Sequence, residues 1–343
     1  MRALSVRRRG DAGELVLGDV PEPLLEDGEI LVEAVAVGVC GTDREIVAAG
    51  PRRPPEGRDA LVVGHESLGR VLEAPATAGV APGDLVVGIV RRPDPVPCPF
   101  CATGRFDLCE NGRYTERGIL GRDGFASERF RLEPEYAVRV DPALGLAGVL
   151  VEPASVVAKA WEQLDHAARR PPRRALVLGA GPIGLLAALL GTQRGLEVHV
   201  VDRVAHGPKR RQAEALGAIY HTSTDQLDGV FDAVVECCGA LVAEAVARTA
   251  PGGAACLVGV GDIRSAGTVD LAALTRDLVS GNKIVMGTVN SNRCHFEAGH
   301  DALRRAGAAW AGGLLTGQVG LEAWSGAFAS DPGGIKSVIR IGS

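Results

Sequence analysis

Residues 175–190 read ALVLGAGPIGLLAALL, and LEVHVVD follows at 196–202. Ala175 to Leu178 form an apolar run of strand length. Gly179, Gly181 and Gly184 then carry the G-x-G-x-x-G spacing, and Pro182 and Ile183 open an apolar helix. A tripled glycine alone is weak evidence. Between a strand and a helix the three glycines serve separate ends, namely a tight turn, close backbone approach to a pyrophosphate, and close packing of helix on strand. The free N–H groups and the positive end of the helix dipole then hold the anion. Asp202 ends the next strand, 18 residues after Gly184. A carboxylate there accepts hydrogen bonds from the adenine ribose, which favours NAD. Arg203 follows at once, with Lys209, Arg210 and Arg211 close behind, and an arginine there neutralises a 2′-phosphate. NAD and NADP both stay open. The candidate cofactor-binding residues are Gly179, Gly181, Pro182, Ile183, Gly184, Asp202 and Arg203.

Working outward, strands are expected at 174–179, 196–202, 231–236, 254–260 and 283–289, alternating with helices at 182–194, 209–216 and 240–250. That alternation predicts βαβ units and a parallel sheet over residues 158–290. Upstream, to about Val157, Gly and Pro interrupt short Val/Leu/Ile runs, the pattern of short strands and irregular turns. Residues 291–343 read as a helix followed by short strands. Two domains follow: residues 1–157 with 291–343, and residues 158–290.

The length of 343 residues suits two domains. With 46% hydrophobic and 23% charged residues, the chain is not intrinsically disordered. Thirty-seven basic against 42 acidic residues give a net charge of -5, which offers no footprint for nucleic acid. The uncharged run 175–193 approaches membrane-helix length, but the glycines assign it to a nucleotide loop, and no membrane partner is expected. Arg7, Arg8 and Arg9 are followed by Gly10 and Asp11 rather than an apolar core, so no export signal is read and a cytoplasmic protein is expected. The eight cysteines then read as thiols. Cys237, Cys238, Cys256 and Cys294 have no ligand spacing and are expected to be small buried hydrophobes.

In the first domain Cys40 and Thr42, then His65 and Glu66, then Glu152 supply a thiolate, an imidazole and carboxylates. These are the donor types of a catalytic zinc, which needs three protein ligands and one open position. CPFCATGRFDLC at 98–109 has the C-x2-C spacing that clips a tetrahedral ion, with a third thiol at Cys109. Cys98, Cys101 and Cys109 therefore form an incomplete structural zinc site, with Asp94, Asp107, Glu110 or water as fourth ligand. A redox dithiol is disfavoured because the Pro-rich segment does not open a helix after a strand.

Taken together, these residues resemble the zinc-dependent medium-chain dehydrogenases, in their glucose 1-dehydrogenase branch, over nearly the whole chain. The branch likeness is carried by VRRPDPVPC at 90–98, TERGI at 115–119 with Gly124 and Phe125, Glu152-Pro153, and VNSNR at 289–293. The resemblance implies an α/β protein, with an irregular GroES-like β-barrel catalytic domain beside a Rossmann doubly wound parallel sheet. It makes Cys40, His65, Glu66 and Glu152 the candidates at a catalytic Zn2+, Thr42 a hydrogen-bond partner of the reacting oxygen, and Glu116 and Asn290 contacts for sugar hydroxyls. The implied activity is oxidation of an aldose such as D-glucose at C1 to a lactone with NAD or NADP, in a homodimer or homotetramer built through the sheet edge.

This chain departs from the family at three points. Its structural lobe has three cysteines where relatives often have four. Val156 stands where some sugar-oxidising members have an acidic residue, and Ser280 where they have a histidine. A second reading is therefore an NAD(P)H-dependent ketone reductase or dehydrogenase acting on a sugar-like or cyclitol ring in a biosynthetic pathway. A third is a non-catalytic coenzyme sensor related to zinc-independent quinone reductases, which would have no need of Cys40, His65 and Glu152 together. His166, His199, His206, His221, His295 and His300 receive no role.

Overall fold

The computed structural model describes residues 1–260 and 269–342, and every count below is of the described residues. They divide into two compact units: Met1–Glu152 with Asn290–Ser330 and Lys336–Ser343, and Pro153–Val289 with Asp331–Ile335.

The first unit runs through β1 (Arg2–Arg9), β2 (Ala12–Asp19), β3 (Ile30–Val39), α1 (Gly41–Ala49), β4 (Ala60–Val62), β5 (Glu66–Glu73), β6 (Leu85–Gly88), β7 (Arg91–Arg92), α2 (Pro99–Ala102), β8 (Thr115–Arg117), β9 (Gly121–Arg122), β10 (Arg129–Leu132) and β11 (Ala137–Val140). β3, ILVEAVAVGV, is almost wholly apolar because it is an interior strand. One of its edges pairs with β5, and the other pairs with β10 and a strand from the C-terminus. Leu4, Ile30, Leu61, Phe125, Phe130 and Leu132 are buried in the core of this unit. Each contributes about 1.5–3 kcal/mol relative to exposure. Phe125 meets Phe130 edge-on at 4.8 Å. A Cβ on Gly88 would lie 2.4 Å from the Phe125 ring, so that strand needs a glycine there.

The chain enters the second unit along α3 (Val151–Ala167), which begins seven residues before the expected change of pattern at 158. Pro153 reads as punctuation in the sequence, yet it falls in the first turn, where a missing N–H has no intrahelical partner to lose. Glu152 is thereby on a helix and closes the first unit. The run Pro142–Ala167 is long and apolar enough to cross a membrane, but most of it is buried inside the protein, as a core segment is.

β12 (Arg174–Leu178), α4 (Pro182–Thr192), β13 (Glu197–Val201), α5 (Pro208–Ala215), β14 (Ile219–His221), β15 (Phe231–Glu236), α6 (Val242–Arg248), β16 (Thr249–Leu257), α7 (Leu271–Gly281) and β17 (Ile284–Gly287) follow. The six strands pair in parallel in the order β14-β13-β12-β15-β16-β17. This is the doubly wound arrangement, with its switch of direction between β12 and β15. α7 had no sequence expectation, and Asp270 caps it by accepting from the Ala273 N–H at 3.0 Å. The chain returns to the first unit through α8 (Arg293–Ala306), α9 (Ala308–Gly312), β18 (Gly317–Gly320), α10 (Ser325–Phe328) and β19 (Ser337–Arg340), the strand that pairs with β3.

The cysteine expectation needs correction. Cys256 is buried, but Cys238 and Cys294 are exposed, and no disulfide joins cysteines among the described residues. The two exposed thiols lie in the loop after β15 and in the first turn of α8, outside the apolar layers.

Candidate functional site

Cys40 is the N-cap of α1, in extended backbone. Its own N–H donates to Asp43 Oδ2 at 2.9 Å, which closes a capping box and leaves the thiol at the helix entrance. Gly64 precedes His65 with φ +87, and a Cβ there would meet Val37 at 2.6 Å. Glu66 starts β5 in register with Gly38. A Cβ on Gly38 would lie 2.0 Å from Glu66 Oε2 and 3.0 Å from Lys336 Cε. The missing side chain is thus the space in which the carboxylate and the lysine meet.

These three turns gather Cys40, His65 and Glu66 so that one donor atom of each lies within 4.8 Å of the others. Cys40 Sγ is 3.1 Å from His65 Nε2, close to the roughly 3.5 Å that separates two ligands of one tetrahedral zinc. His65 Nδ1 faces Asp43 Oδ1 at 3.3 Å, the carboxylate–imidazole pairing that orients metal-bound histidines. Glu66 forms a buried ion pair with Lys336. Glu152 does not join the close group, although His65, Glu66, Lys336 and Asp43 all act on it electrostatically.

Burial opposes charge throughout, yet the charged partners win in three of the four groups. Burial would lower the His65 pKa, but Cys40 and Asp43 raise it well above the ordinary imidazole value. Burial would raise Asp43, but His65 and the Cys40 N–H hold it below the ordinary carboxylate value. Lys336 is raised by Glu66 and Cys40 against its burial. In Glu152 burial prevails and, with Glu66 and Asp43 helping, pushes the carboxyl up to about 7. The acidic neighbours that raise His65 and Lys336 are also groups that favour a cation. The thiolate, imidazole and carboxylate donors and the glycine cradle therefore fit a zinc ion. Thr42 is the second residue of α1, half-buried beside Cys40.

Glu116 and Asn290, 174 residues apart, hydrogen-bond directly, with Asn290 Nδ2 donating to Glu116 Oε1 at 2.7 Å. Asn290 is one of the few non-glycine residues with positive φ, +60. Arg91, which the sequence reading gave no role, donates to the same Glu116 oxygen at 2.9 Å and lies 3.8 Å over the Tyr114 ring. Asp43 and Lys336 also escape the sequence reading. The Asp three residues after Cys40 is a legible capping signal, whereas nothing near Lys336 in sequence points to Glu66.

Cys98, Cys101 and Cys109 form the second close group. Contrary to the sequence reading, Cys98 does open a short helix, as N-cap of α2, with Pro99 in its first turn. The N–H groups of Cys101 and Glu110 draw the Cys98 thiol down to about 7, while burial pushes Cys101 up to about 11. None of the three carboxylates offered as fourth ligand belongs to the thiol group. Asp94 accepts from the Val96 N–H and from Arg113, and Asp107 from Asn292.

In the second unit Gly179 has φ +100 and Gly181 is the N-cap of α4, with Pro182 following. A Cβ on Gly184 would lie 1.7 Å from the Gly179 carbonyl oxygen, so the helix sits flush on the loop. Asp202 accepts from the Ala180 N–H at 2.9 Å and the Val204 N–H at 3.0 Å, and Lys209 pairs with it at 3.3 Å. The carboxylate read as the ribose acceptor thus also braces the glycine loop. Arg203 is exposed beside it.

Residues 145–341 match the family model described as glucose dehydrogenase C-terminus, and residues 26–142 the alcohol dehydrogenase GroES-like domain. The chain is 38% identical to a glucose 1-dehydrogenase of Methanocella arvoryzae, over 97% of this chain and 98% of the relative. It is 38% identical to a glucose 1-dehydrogenase of Thermoproteus tenax, over 99% of each. Among solved structures it is similar to Haloferax mediterranei glucose dehydrogenase in complex with NADP, Zn and gluconolactone. The TM-score is 0.90, at 33% identity over the whole of both chains.

Proposed function

The chain belongs to the zinc-dependent medium-chain dehydrogenases of the glucose dehydrogenase branch, and on that premise we propose that it oxidises an aldose such as D-glucose at C1 to the lactone, with NAD or NADP as hydride acceptor. The observation that carries the reading is the convergence of Cys40, His65 and Glu66 within 4.8 Å of one another. The net reaction removes a hydride from C1 and the proton from its hydroxyl, leaving the lactone carbonyl.

Zinc held by Cys40 and His65, with Glu66 and Glu152 as carboxylate partners, would supply a Lewis acid that lowers the pKa of the C1 hydroxyl. Asp43 fixes the tautomer of His65, so that Nε2 keeps its lone pair for the ion. Thr42 is the residue for the hydroxyl proton, with an oxygen that both accepts and donates. Glu116 and Asn290 bind ring hydroxyls. Glu116 is already aimed by Arg91 and Asn290, so little ordering remains when the sugar arrives.

The glycine loop and the first turn of α4 hold the pyrophosphate. Lys209 neutralises Asp202 and Arg203 is exposed next to it, which supports acceptance of NADP as well as NAD. Cys98, Cys101 and Cys109 would hold a structural zinc, with water as the fourth ligand. A cytoplasmic enzyme accords with cysteines that form no disulfide among the described residues. A homodimer or homotetramer accords with β17, whose one strand partner is β16 among the described residues, and with the exposed Leu271 and Val279 on neighbouring α7.

The test is absorbance at 340 nm with zinc-loaded protein, D-glucose and either NAD+ or NADP+. A rise that disappears in Cys40→Ser is expected. No rise with either coenzyme, with zinc bound, refutes sugar oxidation, and full activity in Cys40→Ser refutes the metal site.

A further inference from the structure

Glu236 ends β15 and is wholly buried, a carboxylate inside the nucleotide-binding unit that no step above employs. Its two oxygens gather the loop that follows. Oε2 accepts from the Gly239 N–H at 2.9 Å. Oε1 accepts from the N–H groups of Cys238 at 3.2 Å and of Ala240 and Leu241 at 3.3 Å, and from the Cys238 thiol at 2.8 Å. Four consecutive amides thus point inward to one buried acceptor rather than outward. Charge-assisted bonds of this kind are stronger than neutral ones, and a buried carboxylate left without donors is unfavourable, so the wholly buried Glu236 and the loop amides fix one another.

That loop sits where a coenzyme would lie. β15 is beside β12 where the sheet order reverses, and dinucleotides bind in the crevice outside the strand ends at such a point. The loop is tied to β12, since the Cys237 N–H donates to the Leu178 carbonyl at 2.9 Å. A Cβ on Gly179, the first residue of the phosphate loop, would lie 3.5 Å from Cys238 Cβ. On its other side a Cβ on Gly259 would lie 2.3 Å from the Gly239 nitrogen. The segment 237–241 is therefore the crevice wall facing the glycine loop, pinned from three sides.

We propose that Glu236 is a positioning residue for the coenzyme: by collecting the amides of 238–241 it holds the wall opposite Gly179–Gly184 in its binding conformation before the coenzyme arrives. This rests on the nucleotide reading above. Glu236→Gln is the close test. If the amide oxygen keeps the three amides at Oε1, the new NH2 group faces the Gly239 N–H, donor against donor.

The experiment titrates zinc-loaded full-length protein with NADH and with NADPH, following coenzyme fluorescence, for wild type and E236Q. Sugar KM at saturating coenzyme and zinc content are measured alongside. The expected result is a coenzyme Kd raised at least tenfold in E236Q, with sugar KM within twofold and zinc content unchanged. An unchanged coenzyme Kd, or a loss spread equally over coenzyme, sugar and zinc, overturns the proposal. A wild type that binds neither coenzyme refutes the nucleotide reading itself. Hydrogen exchange in the coenzyme-free wild type needs no variant. Amides 238–241 are expected to be protected already, and exchange at the rate of an open loop overturns the proposal.

Discussion

Lys336→Met isolates the interaction on which the metal pocket is framed. The side chains of Lys336 and Glu66 are 1% and 2% exposed, so both charges are cut off from water. Removing the cation alone leaves a buried carboxylate that shares its surroundings with Asp43, whose own carboxyl is held below the ordinary value. Breaking a buried pair from one side costs about 3–5 kcal/mol, whereas removing both partners is close to neutral. At roughly 2–4 °C per kcal/mol for a large domain, K336M should melt about 6–20 °C below wild type. The double variant Glu66→Gln with Lys336→Met should recover a substantial part of that loss. Calorimetry on chelator-treated protein is the assay, because a bound cation would itself compensate Glu66. A K336M protein within about 1 kcal/mol of wild type, or a double variant that loses the full sum of the two singles, would refute the account of Glu66 as a charge dependent on Lys336.

Asp43→Ala removes the group that orients His65, and a loss of about 10–100-fold in zinc affinity is expected by competition with a chromophoric chelator; unchanged affinity would show that the imidazole needs no partner. Glu133 accepts from Arg92 and Arg122 and faces buried Arg117, and although its burial opposes them Arg92 and Arg117 hold its pKa far below the ordinary 4.5. Its stabilisation is therefore present above about pH 4.5 and lost as pH falls toward the depressed folded value. Urea midpoints of wild type should drop between about pH 5 and 3, while Glu133→Gln should be less stable at about pH 7 and flatter with acid; parallel profiles would count against it. Gly184→Ala puts a methyl 1.7 Å from the Gly179 carbonyl oxygen and should weaken NADPH binding at least tenfold, with zinc content unaffected; normal binding would mean that the loop relaxes freely.

The nucleotide loop is legible at residue level because each requirement there is local. Gly179 needs a positive φ and Gly184 the absence of a Cβ, and both needs are met within one turn of chain. The alternation of strands and helices is legible for the same reason, except at α3, where a proline in the first turn reads as a break, and at the short β14 and α7, for which no element is expected. Asp43 is readable in principle, since its capping spacing from Cys40 is in the sequence. The fourth-ligand question is not, because Asp94 and Asp107 are engaged by Arg113 and Asn292 through contacts that no spacing announces.

Residue types and short spacings thus suffice for the parallel α/β unit, the candidate phosphate cradle and the donor chemistry of two candidate metal sites. Folding in three dimensions adds the long-range pairings at the candidate site: Lys336 on Glu66 across 270 residues, beside the metal donors, and Asn290 on Glu116 across 174, at the candidate sugar contacts. It also brings Glu236 under the crevice wall, a role visible only once β15 lies beside β12. The reason is physical. Hydrophobic alternation tells each strand which face to bury but not which strand it will lie against, and the charges meeting across β3, β5 and β19 depend on that choice of neighbour.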